Sequence, residues 1–100
     1  MGTEKAYVTV RRLDSSSASL RRFTISIDGE QVARIKQGQT VTFEVDPGTH
    51  IIRVRMDWDR SEKIEFMAVA GRTVYFVCEW RKRLFNPNMF LEQIDDVSRN

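Results

Sequence analysis

The amino-acid sequence predicts an all-β fold: a small antiparallel β-sandwich of about seven strands, immunoglobulin-like in size, with a short C-terminal helix or extended tail. Apolar and polar residues alternate along most of residues 23–80, which is the period of a half-buried strand. Turn-forming residues interrupt this alternation at intervals of roughly 8–12 residues, the spacing typical of sandwiches and small barrels. Hydrophobic residues make up 41% of the chain and charged residues 30%, a composition typical of a globular protein rather than a disordered one.

A chain of 100 residues is expected to form one domain, because domains commonly contain about 100–150 residues. We predict a sandwich domain over residues 1–83 and a tail over residues 84–100 that packs on the domain or on a partner. No apolar run approaches the ~18 residues of a membrane span, and the N-terminal residues include no apolar signal segment. The expectation is therefore a cytoplasmic protein, or a domain of a larger one.

The first half of the chain carries three strand signals. A strand is expected over residues 6–13, followed by a Ser-rich connection that is typical of a flexible segment. Phe23–Ile27 alternates between apolar and polar residues, and Asp28-Gly29 after it marks a turn. In the return strand that follows, either a β-bulge intervenes or Ala33 and Ile35 are the inward pair.

The stretch TFEVDPGTHIIRVRM, residues 42–56, alternates on both sides of an Asp-Pro-Gly-Thr break. We predict a hairpin with a four-residue turn over residues 46–49. Phe43 would then lie opposite Ile52, because only that parity brings the two apolar rows to one side of the sheet. The solvent-exposed face of the hairpin would carry Arg53 and Arg55.

The second half continues the pattern and then loses it. Strands are expected around residues 64–66 and 74–80, each preceded by turn-forming residues. After Trp80, Asn86-Pro87 offers an N-cap and first helical residue. Apolar residues then follow at helical spacing, which predicts a short amphipathic helix over residues 87–96: Phe90, Leu91, Ile94 and Val97.

Three stretches together carry a family resemblance: IDGEQVARI, VDPGTHIIRVRM and FMAVAGRTVYF. Their order of Asp-Gly turn, short return strand, Pro-Gly turn and alternating strand resembles PEGA-type domains and related uncharacterised small β-sandwich domains of bacteria. The resemblance covers about residues 23–80. It implies a non-catalytic module, often an accessory part of a larger bacterial protein, and it brings no catalytic residues.

The residues that could do chemistry do not form a catalytic or metal-binding set. His50 is the only histidine and has no nucleophile motif beside it, so packing at a strand end is expected rather than base catalysis. Cys78 is the only cysteine and shares the inward parity of its strand, which predicts a buried thiol. Residues 57–62 alternate oxygen ligands but lack the Gly of a calcium loop. We expect no enzyme activity, no metal, no cofactor and no small-molecule substrate.

The preferred function is therefore a non-catalytic binding or assembly module that contacts a protein partner or a second copy of itself. One alternative is polyanion or nucleic-acid binding through Arg81-Lys82-Arg83, although nucleic acid is not expected because the net charge is only +2. A second alternative is a small ligand or carbohydrate near Trp58, an aromatic residue beside a turn. The candidate interaction residues are Trp58, Arg81, Lys82, Arg83, Phe85, Phe90 and Leu91.

Overall fold

The computed structural model describes residues 4–13, 21–57, 59–81 and 89–95. In these ranges the protein is all-β, as predicted, with nine strands and no helix. The strands are β1 (Ala6–Arg12), β2 (Phe23–Ile27), β3 (Glu30–Ile35), β4 (Thr40–Val45), β5 (Gly48–Met56), β6 (Asp59–Arg60), β7 (Ile64–Ala68), β8 (Thr73–Trp80) and β9 (Met89–Ile94).

The strands form two sheets, which confirms the predicted small sandwich. The four-stranded sheet has the order β4-β1-β8-β9, and its β1–β8 pair is parallel while the other pairs are antiparallel. The five-stranded sheet has the order β3-β2-β5, and the short strands β6 and β7 both pair with the remaining edge of β5. All its pairs are antiparallel.

The core lies between the two sheets because every second residue of each strand points inward. Fully buried side chains come from both sheets, among them Val8, Val10, Phe23, Ile25, Ile52, Val54 and Phe76. Phe66 and Phe76 meet edge to face with ring centroids 5.3 Å apart. Arg12 is also buried: its guanidinium lies 3.5 Å from the centroid of the Phe23 ring and donates to the carbonyl oxygens of Arg21 and Ile35.

The predicted hairpin across the Pro-Gly turn is wrong. Phe43 lies opposite Val8 in the four-stranded sheet, whereas Ile52 lies between Ile27 and Ile64 in the five-stranded sheet. The chain therefore crosses from one sheet to the other after β4. Alternation reports which side of a strand is buried, and both strands do face the core, but it does not report which strand is the neighbour.

The predicted helix over residues 87–96 is also wrong where the structure describes it, because Met89–Ile94 is β9 and pairs with β8. Met89 and Leu91 lie opposite Trp80 and Cys78 on the inward side. Short apolar runs are compatible with both a strand and a helix. Here the pairing with β8 makes the segment a strand. Residues 87, 88 and 96 lie outside the described residues, and the boundary between residues 1–83 and 84–100 stays a prediction.

Both predictions for β3 are confirmed: the strand contains a β-bulge, and Ala33 and Ile35 face inward. The β2–β3 register shifts between Ile25 and Ser26, so that Val32 is the extra residue of a β-bulge and is 41% exposed. Beyond the bulge, Ala33 packs against the core and Ile35 is buried.

Candidate anion-binding face

The outer side of the five-stranded sheet carries a concentration of positive charge. Inward-facing residues of β5 such as Ile52 and Val54 are buried, so the residues between and after them, Arg53 and Arg55, point outward. We call the following five side chains the basic face: Arg34, Arg53, Arg55, Arg60 and Lys63.

Strand register aligns three of these arginines in one row across four strands. Thr24 of β2 lies opposite Arg34 on one side and Arg55 on the other, and Arg55 lies opposite Arg60. Neighbouring strands lie about 4.8 Å apart. Like charges directly opposite each other destabilise a sheet, so a bound anion would relieve repulsion between Arg55 and Arg60.

A groove of about 560 Å³ lies beside this row on the same side of the sheet. Its lining combines a hydroxyl, an apolar side chain and cationic side chains. The lining residues are Ser26, Asp28, Gly29, Ile51, Arg53, Arg55 and Lys63.

The cations of the basic face have no acidic partner within the described part of the chain, where Lys5, Arg21 and Arg81 do form ion pairs with carboxylates. The Nε of Arg53 is buried without a hydrogen-bond acceptor. Buried polar groups normally find a partner. The charges of this face are therefore available to a ligand.

An irregularity in the sheet edge precedes Lys63. Ser61 is buried, and its hydroxyl accepts the Val54 N–H at 3.0 Å while its own N–H donates to the Val54 carbonyl at 2.7 Å. The register then advances by one residue before Ile64 pairs with Ile52. This β-bulge separates β6 from β7. Lys63 follows Ser61 in the bulge and lines the groove.

Asp28 is the carboxylate that lines the groove, and His50 holds it. His50 Nδ1 lies 2.6 Å from Asp28 Oδ2, and Nε2 lies 2.6 Å from the carbonyl oxygen of Asp46. Both neighbours are acceptors, so both ring nitrogens donate only in the imidazolium form.

The bond to Asp28 raises the pKa of His50 above its usual value, against the opposing effect of burial. The same bond, with a second from the Ile51 N–H, lowers the pKa of Asp28. The carboxylate of Asp28 is therefore paired with His50 and not with a cation of the basic face.

An apolar patch adjoins the basic face at the other end of β5. We define it as Ile51, Met67 and Val69, which are 41%, 60% and 47% exposed. Met67 lies opposite Thr49 and Ile51 lies opposite Glu65, so Met67 and Ile51 are diagonal neighbours on the outer side of the sheet. Exposed apolar residues grouped in this way mark contact sites more often than isolated ones.

The predicted interaction residues lie elsewhere. Trp58, Lys82, Arg83 and Phe85 fall outside the described residues. Arg81 is exposed after β8, forms an ion pair with Glu79 and lies 5.6 Å from the Phe90 ring centroid.

Phe90 and Leu91 are half-buried on β9, and Leu91 packs against the core. A groove of about 420 Å³ beside Arg81 and Phe90 also contains Glu79 and Glu92, so it offers an anion no net attraction.

Sequence reasoning found two members of the basic face and missed three. The alternation in β5 identified Arg53 and Arg55 as outward residues. Arg34, Arg60 and Lys63 come from other strands and from a bulge, and only the register shows that they join the same surface. Outward parity in β3 would have been a weak signal for Arg34.

Comparisons with protein-family models, curated proteins and solved structures found no match. The resemblance to PEGA-type domains therefore stays a prediction. In the described residues, no group of three or more His, Cys, Asp or Glu side chains is arranged to hold a metal ion. No helix in the same ranges is long and apolar enough to cross a membrane.

Proposed function

We propose that this protein is a non-catalytic binding module whose basic face binds an anionic ligand. The observation that carries the proposal is the row across four strands in which Arg34 and Arg55 flank Thr24 and Arg60 lies opposite Arg55. The sequence offered polyanion binding only as an alternative, and through a different surface, Arg81-Lys82-Arg83. We also propose a cytoplasmic location and a relationship to PEGA-type domains.

Three features support the basic face over the rest of the surface. Its five cations have no carboxylate partner among the described residues, so binding an anion does not require an existing ion pair to be broken. The groove beside Arg53 provides a concave surface in which an anion can be contacted by several cationic side chains. The sheet also fixes the backbone positions from which the arginine side chains project, which lowers the ordering cost of binding.

The test is binding of a fluorescein-labelled polyglutamate peptide, followed by anisotropy, with inorganic polyphosphate as a competitor. We expect the affinity to fall steeply with salt concentration, since each neutralised contact releases counterions. The double variant Arg53→Gln/Arg55→Gln should weaken binding by about tenfold or more, because charge-assisted hydrogen bonds to a carboxylate contribute about 1.5–3 kcal/mol each.

The matched control is Arg11→Gln/Arg72→Gln, which also removes two positive charges. Arg11 is half-buried in β1 of the four-stranded sheet, and Arg72 is exposed just before β8. This control should keep most of the affinity. Equal losses in both double variants would show that only net charge matters and would overturn the proposal. Loss confined to Arg81→Ala/Lys82→Ala/Arg83→Ala would overturn it in favour of the basic cluster after β8.

A further inference from the structure

We infer that the ligand of the basic face is an extended acidic peptide segment of a partner protein, with acidic side chains at alternate positions followed by an apolar side chain. The inference rests on the proposed function and adds the partner's chemistry. The segment runs along β5, with its carboxylates on Arg55 and Arg53 and its apolar side chain on the apolar patch.

The spacing of outward residues on β5 sets the pattern of the peptide. Arg55, Arg53 and Ile51 are every second residue of one strand, so their side chains leave the sheet at intervals of about 6.8 Å. Alternate side chains of an extended peptide have the same spacing. Two positive sites and one apolar site in a line therefore match acidic, acidic and apolar residues at alternate peptide positions.

Charge fixes which end of the peptide is apolar. Glu65 lies opposite Ile51 on the outer side of the sheet and is exposed, so an acidic side chain there would meet a like charge. Met67 and Val69 extend the apolar surface beside Ile51. At the other end, Arg60 lies opposite Arg55. The two arginines together favour an acidic side chain of the peptide at that position.

Two other polyanions fit this surface less well. Single-stranded nucleic acid is bound with bases stacked on aromatic side chains, and the described residues on the outer side of the five-stranded sheet include no aromatic side chain, because Phe23 and Phe66 both point into the core. An anionic lipid surface is broad and flat, whereas the cations here line a groove. A second copy of the chain docked through the same face would bring one basic face against another.

The experiment uses fluorescein-labelled seven-residue peptides and the full chain. One peptide has the order Glu-Ser-Glu-Ser-Leu-Ser-Leu, and a second has the reverse order, so that both chain directions are sampled. A permuted control, Glu-Glu-Leu-Leu-Ser-Ser-Ser, has the same composition but directs its two carboxylates to opposite sides of an extended chain. The better of the two alternating peptides should bind about tenfold more tightly than the permuted one, because the latter loses one charge-assisted contact.

Variants of the apolar patch separate this inference from the proposed function. Met67→Ser and, independently, Val69→Ser should weaken the alternating peptide by about fivefold through lost apolar burial and leave polyglutamate binding unchanged, because neither side chain lines the groove. Both side chains are exposed, and an unchanged melting temperature confirms that the variants fold.

Equal affinity for the alternating and permuted peptides would overturn the inference, as would patch variants that bind the alternating peptide normally. In either case, polyglutamate binding that depends on Arg53 and Arg55 leaves the proposed function standing. Failure to bind polyglutamate at all would overturn both. Tighter binding of a thymidine decamer, or of vesicles containing 30% phosphatidylserine, would overturn the inference and assign the basic face to nucleic acid or to lipid.

Discussion

Truncating Met89 tests whether β9 is an integral part of the fold. Met89 is 1% exposed and lies opposite Trp80 at the start of the strand, so Met89→Ala removes three buried heavy atoms from the core. Truncations of this kind cost about 2–5 kcal/mol. Since 1 kcal/mol shifts the melting temperature of a domain this size by about 4–8 °C, we expect a decrease of at least about 8 °C.

Thermal unfolding followed by circular dichroism measures the effect, and two variants serve as controls. Met67→Ala makes the same chemical change at a side chain that is 60% exposed and should alter stability by less than about 0.5 kcal/mol. Phe90→Ala should fall between the two because Phe90 is half-buried. If Met89→Ala and Met67→Ala melt at the same temperature, β9 does not pack on β8 and the reasoning is refuted.

Two further predictions concern titratable groups. The imidazolium of His50 stabilises the folded state through Asp28 and the Asp46 carbonyl, and its folded pKa is raised. This stabilisation is complete below the unfolded pKa of about 6.5 and is lost as pH rises through the folded pKa. Urea unfolding between about pH 5 and pH 9 should show the decline, and a His50→Gln variant should lack it; parallel pH profiles would contradict the assignment. Burial raises the pKa of Cys78 to about 12, so a disulfide reagent at pH 8 should label the thiol only after denaturation; rapid labelling of the native protein would mean that β8 is accessible.

Much of the burial pattern was predictable from alternation alone. The inward sets Phe23–Ile27 and Ile52 to Met56 were identified correctly, because side-chain period is a local property of an extended chain. The assignment of strands to sheets was not predictable in the same way. An Asp-Pro-Gly-Thr segment fits both a hairpin turn and a crossing between sheets, and the local residues do not distinguish the two.

The candidate site was less accessible to sequence reasoning than the core. It is built from residues on three strands and a bulge, and their proximity depends on pairing between segments distant in the chain. Contiguous clusters such as Arg81-Lys82-Arg83 attract attention in a sequence, whereas dispersed arginines do not. The positions of Arg34 and Arg60 relative to Arg55 follow from the register between strands. Alternation does not determine that register, because a shift of two residues keeps the same side chains on the same face.

The parallel pairing of β1 with β8 affects how the chain can fold. The strands of the five-stranded sheet all lie between Phe23 and Ala68, a segment that also contains β4 of the other sheet, so the five-stranded sheet can pair without β8 and β9. The four-stranded sheet cannot, because β1 lies between β4 and β8 and has to wait for a strand near the other end. Such distant pairings raise the contact order, and all-β domains of high contact order fold on a timescale of milliseconds to seconds. Among the strands that the structure describes, β1 is therefore synthesised before the other eight and is among the last to pair with both of its neighbours.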